Sequence, residues 1–118
     1  MPLARAVAAF GRGRYADAVA IIAPMRANAH RFGGSHAQRD IVHLTLTESA
    51  LRAGHASLAG ALAAERTNLK RTSPFNWRLA ARALDAQGRA EDAGRAREAA
   101  DTHSRAHQAP RATTRAAA

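Results

Sequence analysis

The chain has 118 residues, enough for one domain, and alanine (33) and arginine (17) supply much of it against a single lysine, Lys70. Both are strong helix formers, while aromatics are scarce and β-branched residues never run past Ile41-Val42, which argues against a sandwich or barrel. The absence of cysteine excludes disulfides, thiolate zinc sites and a cysteine nucleophile, and no stretch reaches the ~18 apolar residues of a membrane span.

The first helical face is Leu3, Val7 and Phe10, broken at Gly11-Arg12-Gly13. A second helix from Tyr15 to Met25 carries Tyr15, Val19 and Ile22 on one stripe, and Pro24 is expected to restrict its end. After Phe32, Gly33 and Gly34 suit a tight turn with positive φ. Ser35 then reads as an N-cap, with Gln38 three residues on completing a capping box. That helix runs to about Ala53, with Ile41, Leu44 and Leu51 on one side and Val42 and Leu46 nearby, and Gly54 ends it. The next helix presents Leu58, Leu62 and Leu69 and stops before Ser73-Pro74. Trp77, Ala81 and Leu84 mark another, closed at Gly88. A last helix, about Ala90 to Asp101, has a face of alanine alone. With no bulky apolar residue beyond Leu84, the core is expected within residues 3–84, and the basic stretch 102–118 is expected to be a disordered tail.

The turns repeat. Gly13-Arg14-Tyr15-Ala16-Asp17-Ala18 matches Gly54-His55-Ala56-Ser57-Leu58-Ala59 and Gly88-Arg89-Ala90-Glu91-Asp92-Ala93, with the glycines 41 and then 34 residues apart. Each glycine ends one helix, and the small residue five positions later lets the returning helix approach. Thirty-four is the period of tetratricopeptide helix pairs. The expected fold is all-α: about three tetratricopeptide-like antiparallel helix pairs over residues 1–101, an α-solenoid fragment, followed by the tail.

The strings from Ala9 to Val19, from His30 through Gly33-Gly34-Ser35-His36-Ala37-Gln38-Arg39-Asp40, from Leu58 to Arg66 and from Leu69-Lys70 to Ser73-Pro74 resemble the C-terminal part of the tetratricopeptide repeat protein 38 family and its bacterial relatives. The resemblance spans roughly residues 3–84. It implies an all-helical C-terminal piece or truncated relative of longer proteins that have no well-established activity. Three departures stand out: Thr47 and Ser49 replace apolar or small residues, Arg71-Thr72 replaces an expected proline, and only one helix precedes the first turn.

Sharper chemical readings compete with structural ones. Gly11-Arg12-Gly13-Arg14-Tyr15-Ala16 fits G-x-G-x-x-A, but a helix rather than a strand precedes it, so an inter-helix turn is the better account. Gly33-Gly34-Ser35 before a helix, with Arg31 and Arg39 nearby, has phosphate-binding chemistry, yet capping explains the same residues. His36, Asp40 and His43, with His30 close in sequence, have zinc-ligand spacing, but Arg39 would repel the cation; an Arg39–Asp40 cluster pinning the segment to its neighbours is preferred. Ser35, His36 and Asp40 contain the residue types of a hydrolytic triad without its geometry. No catalytic residue, metal or cofactor is therefore assigned.

Eighteen basic and nine acidic residues leave a charge of +9, spread along the chain without interleaved aromatics, which argues against nucleic acid. The apolar run Ala6–Phe10 is too short for an export signal, so the cytoplasm is the expected compartment. The expected role is a non-catalytic scaffold binding a peptide or partner helix, with self-association through the uncapped Leu3, Val7 and Phe10 face. The alternative is the C-terminal module of a larger enzyme or cofactor-binding protein, with Gly33–Asp40 near a site.

Overall fold

A computed structural model describes residues 2–27 and 36–108, which form six α-helices and, among the described residues, no strand: α1 (Pro2–Gly11), α2 (Tyr15–Ala27), α3 (His36–Ala53), α4 (Ala56–Leu69), α5 (Pro74–Ala86) and α6 (Ala90–Gln108). Each helix packs against its neighbours in the chain, and α3 also touches α5. The three turns within α1–α2, α3–α4 and α5–α6 share one backbone solution. Gly13, Gly54 and Gly88 adopt φ of +77°, +80° and +76°. The amide after each glycine donates to the carbonyl five residues back: Arg14 to Ala9 at 2.8 Å, His55 to Ala50 at 2.9 Å, Arg89 to Leu84 at 2.9 Å. Each glycine amide also reaches back three residues, which completes a Schellman close.

The same three residues that end one helix open the next. The carbonyls of Arg14, His55 and Arg89 accept from the amides of Ala18, Ala59 and Ala93. Those alanines, five positions after the glycines, are all fully buried at 0% exposure. A methyl group at this point is what lets two helices cross closely just after the turn; a larger side chain has no space there.

The core is built of Ala6, Val19, Ile22, Leu46, Ala50, Ala59, Leu62, Ala63, Ala80, Ala81, Ala83 and Ala96, with Val42, Leu51, Leu58, Trp77 and Leu84 packed at its margin. Several faces differ in phase from the sequence expectation. In α1 it is Ala6 that is buried, while Val7 is more than half exposed and Phe10 lies half-buried on Tyr15; the side chain of Leu3 lies outside the described residues. In α3 the buried positions are Leu46, Thr47, Ser49 and Ala50, and Ile41 is exposed. Thr47 is accommodated because its hydroxyl donates to the His43 carbonyl at 2.8 Å, within its own helix. In α4 the inward stripe is Ala59, Leu62, Ala63, Arg66 and Thr67, which leaves Leu69 82% exposed. Pro24 lies inside α2, which continues three residues past it to Ala27.

Two expectations about the C-terminal region are corrected. The core does not end at Leu84: Ala93, Ala96 and Ala100 are buried at helical spacings of three and four against α5. Alanine-only faces bury little area each, but they permit close helix approach and so pack continuously. Nor does the helix stop at Asp101, for residues 102–108 continue α6 to Gln108. Glu91 and Asp92 in its first turn and Arg105 and His107 in its last complement the helix dipole at both ends. The rest of the expected tail, residues 109–118, lies outside the described residues.

Candidate functional site

A cleft of about 570 Å3 lies where α3, α4 and the start of α5 meet, lined among others by Arg39, Asp40, His43, Arg66, Lys70 and Asn76. Its centre is Arg66, a charged residue with only 8% of its side chain exposed. The helical phase of α4 places it inward, one turn after Leu62 and Ala63. Burial of a guanidinium requires partners, and α3 and α5 supply them. Arg66 Nε donates to Asn76 Oδ1 at 3.0 Å, and Asn76 Nδ2 donates back to the Arg66 carbonyl at 3.0 Å. Arg66 Nη1 lies 3.1 Å from Asp40 Oδ1 and 3.4 Å from His43 Nδ1. Since arginine only donates, His43 Nδ1 accepts, and a neutral ring then carries its proton on Nε2. Thr47 Oγ1 stands 3.3 Å from the same Nδ1.

Asn76 is held by the helix start that the sequence marks. Ser73 caps α5, its hydroxyl accepting from the Asn76 amide at 3.2 Å, with Pro74 in the first turn. Trp77 Nε1 donates to the Arg71 carbonyl at 2.7 Å, fastening the α4–α5 connection from the other side. The cleft thus rests on a reciprocal side chain–backbone lock between the last turn of α4 and the first of α5.

A second polar cluster joins the helix pairs. Glu48 on α3 receives Arg82 of α5 at both carboxylate oxygens and Arg52 Nε at 3.0 Å. Hydrogen bonding to Arg82 is the largest influence and holds its carboxyl below the usual range; burial opposes it, and the hydrogen bond from Arg52 adds to the lowering. Arg52 Nη1 donates in turn to the Tyr15 hydroxyl at 3.1 Å. Its guanidinium lies 5.5 Å from the Phe10 ring centroid and 5.3 Å from that of Tyr15, and the two rings meet edge to face at 5.3 Å. This chain of contacts runs from α1–α2 through α3 to α5.

Gly13, Tyr15, Ala18, Gly54 and Gly88 therefore all sit at or beside the repeated turns, as their spacing suggests. Arg39 and Asp40 lie at the cleft, and Asp40 does pin α3 to a neighbour, though through Arg66 rather than Arg39. Gln38 is exposed in the first turn of α3. Gly33, Gly34, Ser35 and His30, with the expected capping box and phosphate-binding turn, lie outside the described residues. Of the zinc-spaced residues, Asp40 and His43 both turn toward the Arg66 guanidinium, whose charge repels a cation. Arg66 and Asn76 were not legible as site residues, because an arginine in a helix reads as surface unless its phase is known. No family model and no solved structure matches the chain.

Proposed function

We propose that this chain is a tetratricopeptide-type helical-repeat scaffold, non-catalytic, which binds a peptide or helix of a protein partner on the faces its stacked helix pairs leave open. The observation that carries the reading is the recurrence of one device three times: a left-handed glycine, the five-residue Schellman bond and a fully buried alanine five positions on. The contact order supports it as well, since each helix meets its sequence neighbours, the arrangement by which repeat arrays extend. Extended binding surfaces are the usual consequence of such stacking. The polar groups of the two clusters engage one another at hydrogen-bond distance, and Thr47, the hydroxyl beside the His43 ring, is fully buried and gives its proton to the His43 carbonyl, which favours a binding role over catalysis.

The test is affinity capture with the full chain from cells that express it, followed by native mass spectrometry. A stoichiometric polypeptide complex is the predicted result. Recovery of the chain with a retained small molecule and no polypeptide would contradict the scaffold reading.

A further inference from the structure

Among the described residues, the Arg66 cleft has an excess of positive charge. Its lining holds three cations, Arg39, Arg66 and Lys70, against one carboxylate, Asp40. Arg66 is buried, yet its acidic partner Asp40 is 62% exposed and approaches it at Nη1. Nε is given to Asn76, and Nη1 lies near both Asp40 and His43. A guanidinium is built to clasp a carboxylate at two points, and an exposed carboxylate such as Asp40 is one that a second carboxylate can displace. Beside these cations the cleft also carries apolar surface: Leu69 at 82% exposure and Phe75 at 50%. Its volume lies within the ~300–1,000 Å3 of ordinary binding pockets.

We propose that this cleft takes an acidic peptide segment of a protein partner, one of whose carboxylates displaces Asp40 from Arg66 while a neighbouring apolar side chain covers Leu69 and Phe75. The proposal rests on the scaffold reading and gives the partner its chemistry. Asp40 acts as an internal stand-in: it neutralises the buried guanidinium in the free chain and, being exposed, swings into solvent when a better-placed carboxylate arrives. Arg39 and Lys70 at the rim draw the acidic segment in. A free oxyanion would leave the Leu69–Phe75 surface uncovered. A single-stranded nucleic acid would find, among the described lining residues, one ring, Phe75, on which to stack.

The experiment is fluorescence anisotropy on the full chain with a fluorescein-labelled peptide of alternating glutamate and leucine, beside the same peptide with glutamine for glutamate. The glutamate peptide binds, and the glutamine peptide binds at least about fivefold more weakly. Lys70→Gln with Arg39→Gln, both exposed positions, weakens the glutamate peptide by about fivefold or more with the circular-dichroism spectrum unchanged. Asp40→Asn, which keeps an oxygen for Arg66 but removes the competing charge, tightens binding. Three results overturn the proposal: equal binding of the two peptides, no effect of the double substitution, or displacement of the peptide by equimolar inorganic phosphate or oligothymidylate. A cellular partner retained equally well by the double variant would remove the cleft from the account and leave the scaffold standing. Failure of the wild-type chain to hold any polypeptide would remove the scaffold itself.

Discussion

Replacing Glu48 with glutamine separates a joint between helix pairs from ordinary surface charge. The carboxylate receives Arg82 at two points and Arg52 at one, and Arg52 carries the connection on to Tyr15. Only 18% of the Glu48 side chain is exposed, but Arg82 and Arg52 are exposed at 46% and 47%. Both arginines therefore rehydrate when the carboxylate is lost, and the penalty stays well below that of a stranded buried charge. Two half-exposed pairs, one of them two-pointed, give a loss of about 1 kcal/mol, or roughly 4–8 °C in the melting temperature of a domain this size. The pH dependence has a definite sign. The carboxyl titrates lower in the folded chain than in the unfolded one, so its contribution is complete above the unfolded value of about 4.3 and disappears as pH falls through the folded value. Asp92, held down by Arg89 and then Arg95, follows the same direction, so the difference between Glu48→Gln and wild type is the quantity to follow. Thermal melts by circular dichroism should show that difference at neutral pH and its disappearance in strong acid. Equal melts at neutral pH, or a difference that persists unchanged in strong acid, would refute the joint.

Four further outcomes follow from the packing. Ala18→Leu forces a branched side chain into a site with no free surface and should lower stability by about 1–3 kcal/mol in denaturant titration, where an unchanged midpoint would contradict the close crossing. Gly54→Ala asks an L-residue to hold φ near +80° and should cost about 1 kcal/mol by the same assay, though its Cβ meets nothing within 4 Å. Ser49 is fully buried and its hydroxyl has no hydrogen-bond partner among the described residues, so Ser49→Ala should raise the melting temperature. Ser73→Ala removes the α5 cap and should cost about 1 kcal/mol in a melt, whereas Ser73→Asp should be tolerated.

The turns were legible in the sequence because they depend on backbone chemistry that a few residues dictate. A glycine at the left-handed position and a small residue five places on leave little choice of conformation, and Ser73-Pro74 marks a helix start for the same reason. Helix faces were less legible, because alanine serves equally inside and outside and gives the periodicity little contrast. Ile41 and Leu69 therefore looked like core while Ala6, Ala50 and Ala63 filled it. The extent of α6 is less legible for a related reason: absence of bulky residues reads as absence of packing, whereas Ala93, Ala96 and Ala100 dock it on α5. The Arg66 cleft was half legible. Asp40 was marked as a polar anchor, but its partner comes from another helix, and no spacing along the chain connects the two.

The central claim is that the stacked helix pairs are a binding surface, and hydrogen exchange of the chain with and without its captured partner tests it most directly. The account predicts slowed exchange at the last turn of α4 and the first turn of α5, around Arg66 to Asn76, while the Gly13, Gly54 and Gly88 turns exchange as in the free chain. A complex that leaves α3, α4 and α5 unprotected throughout would contradict it.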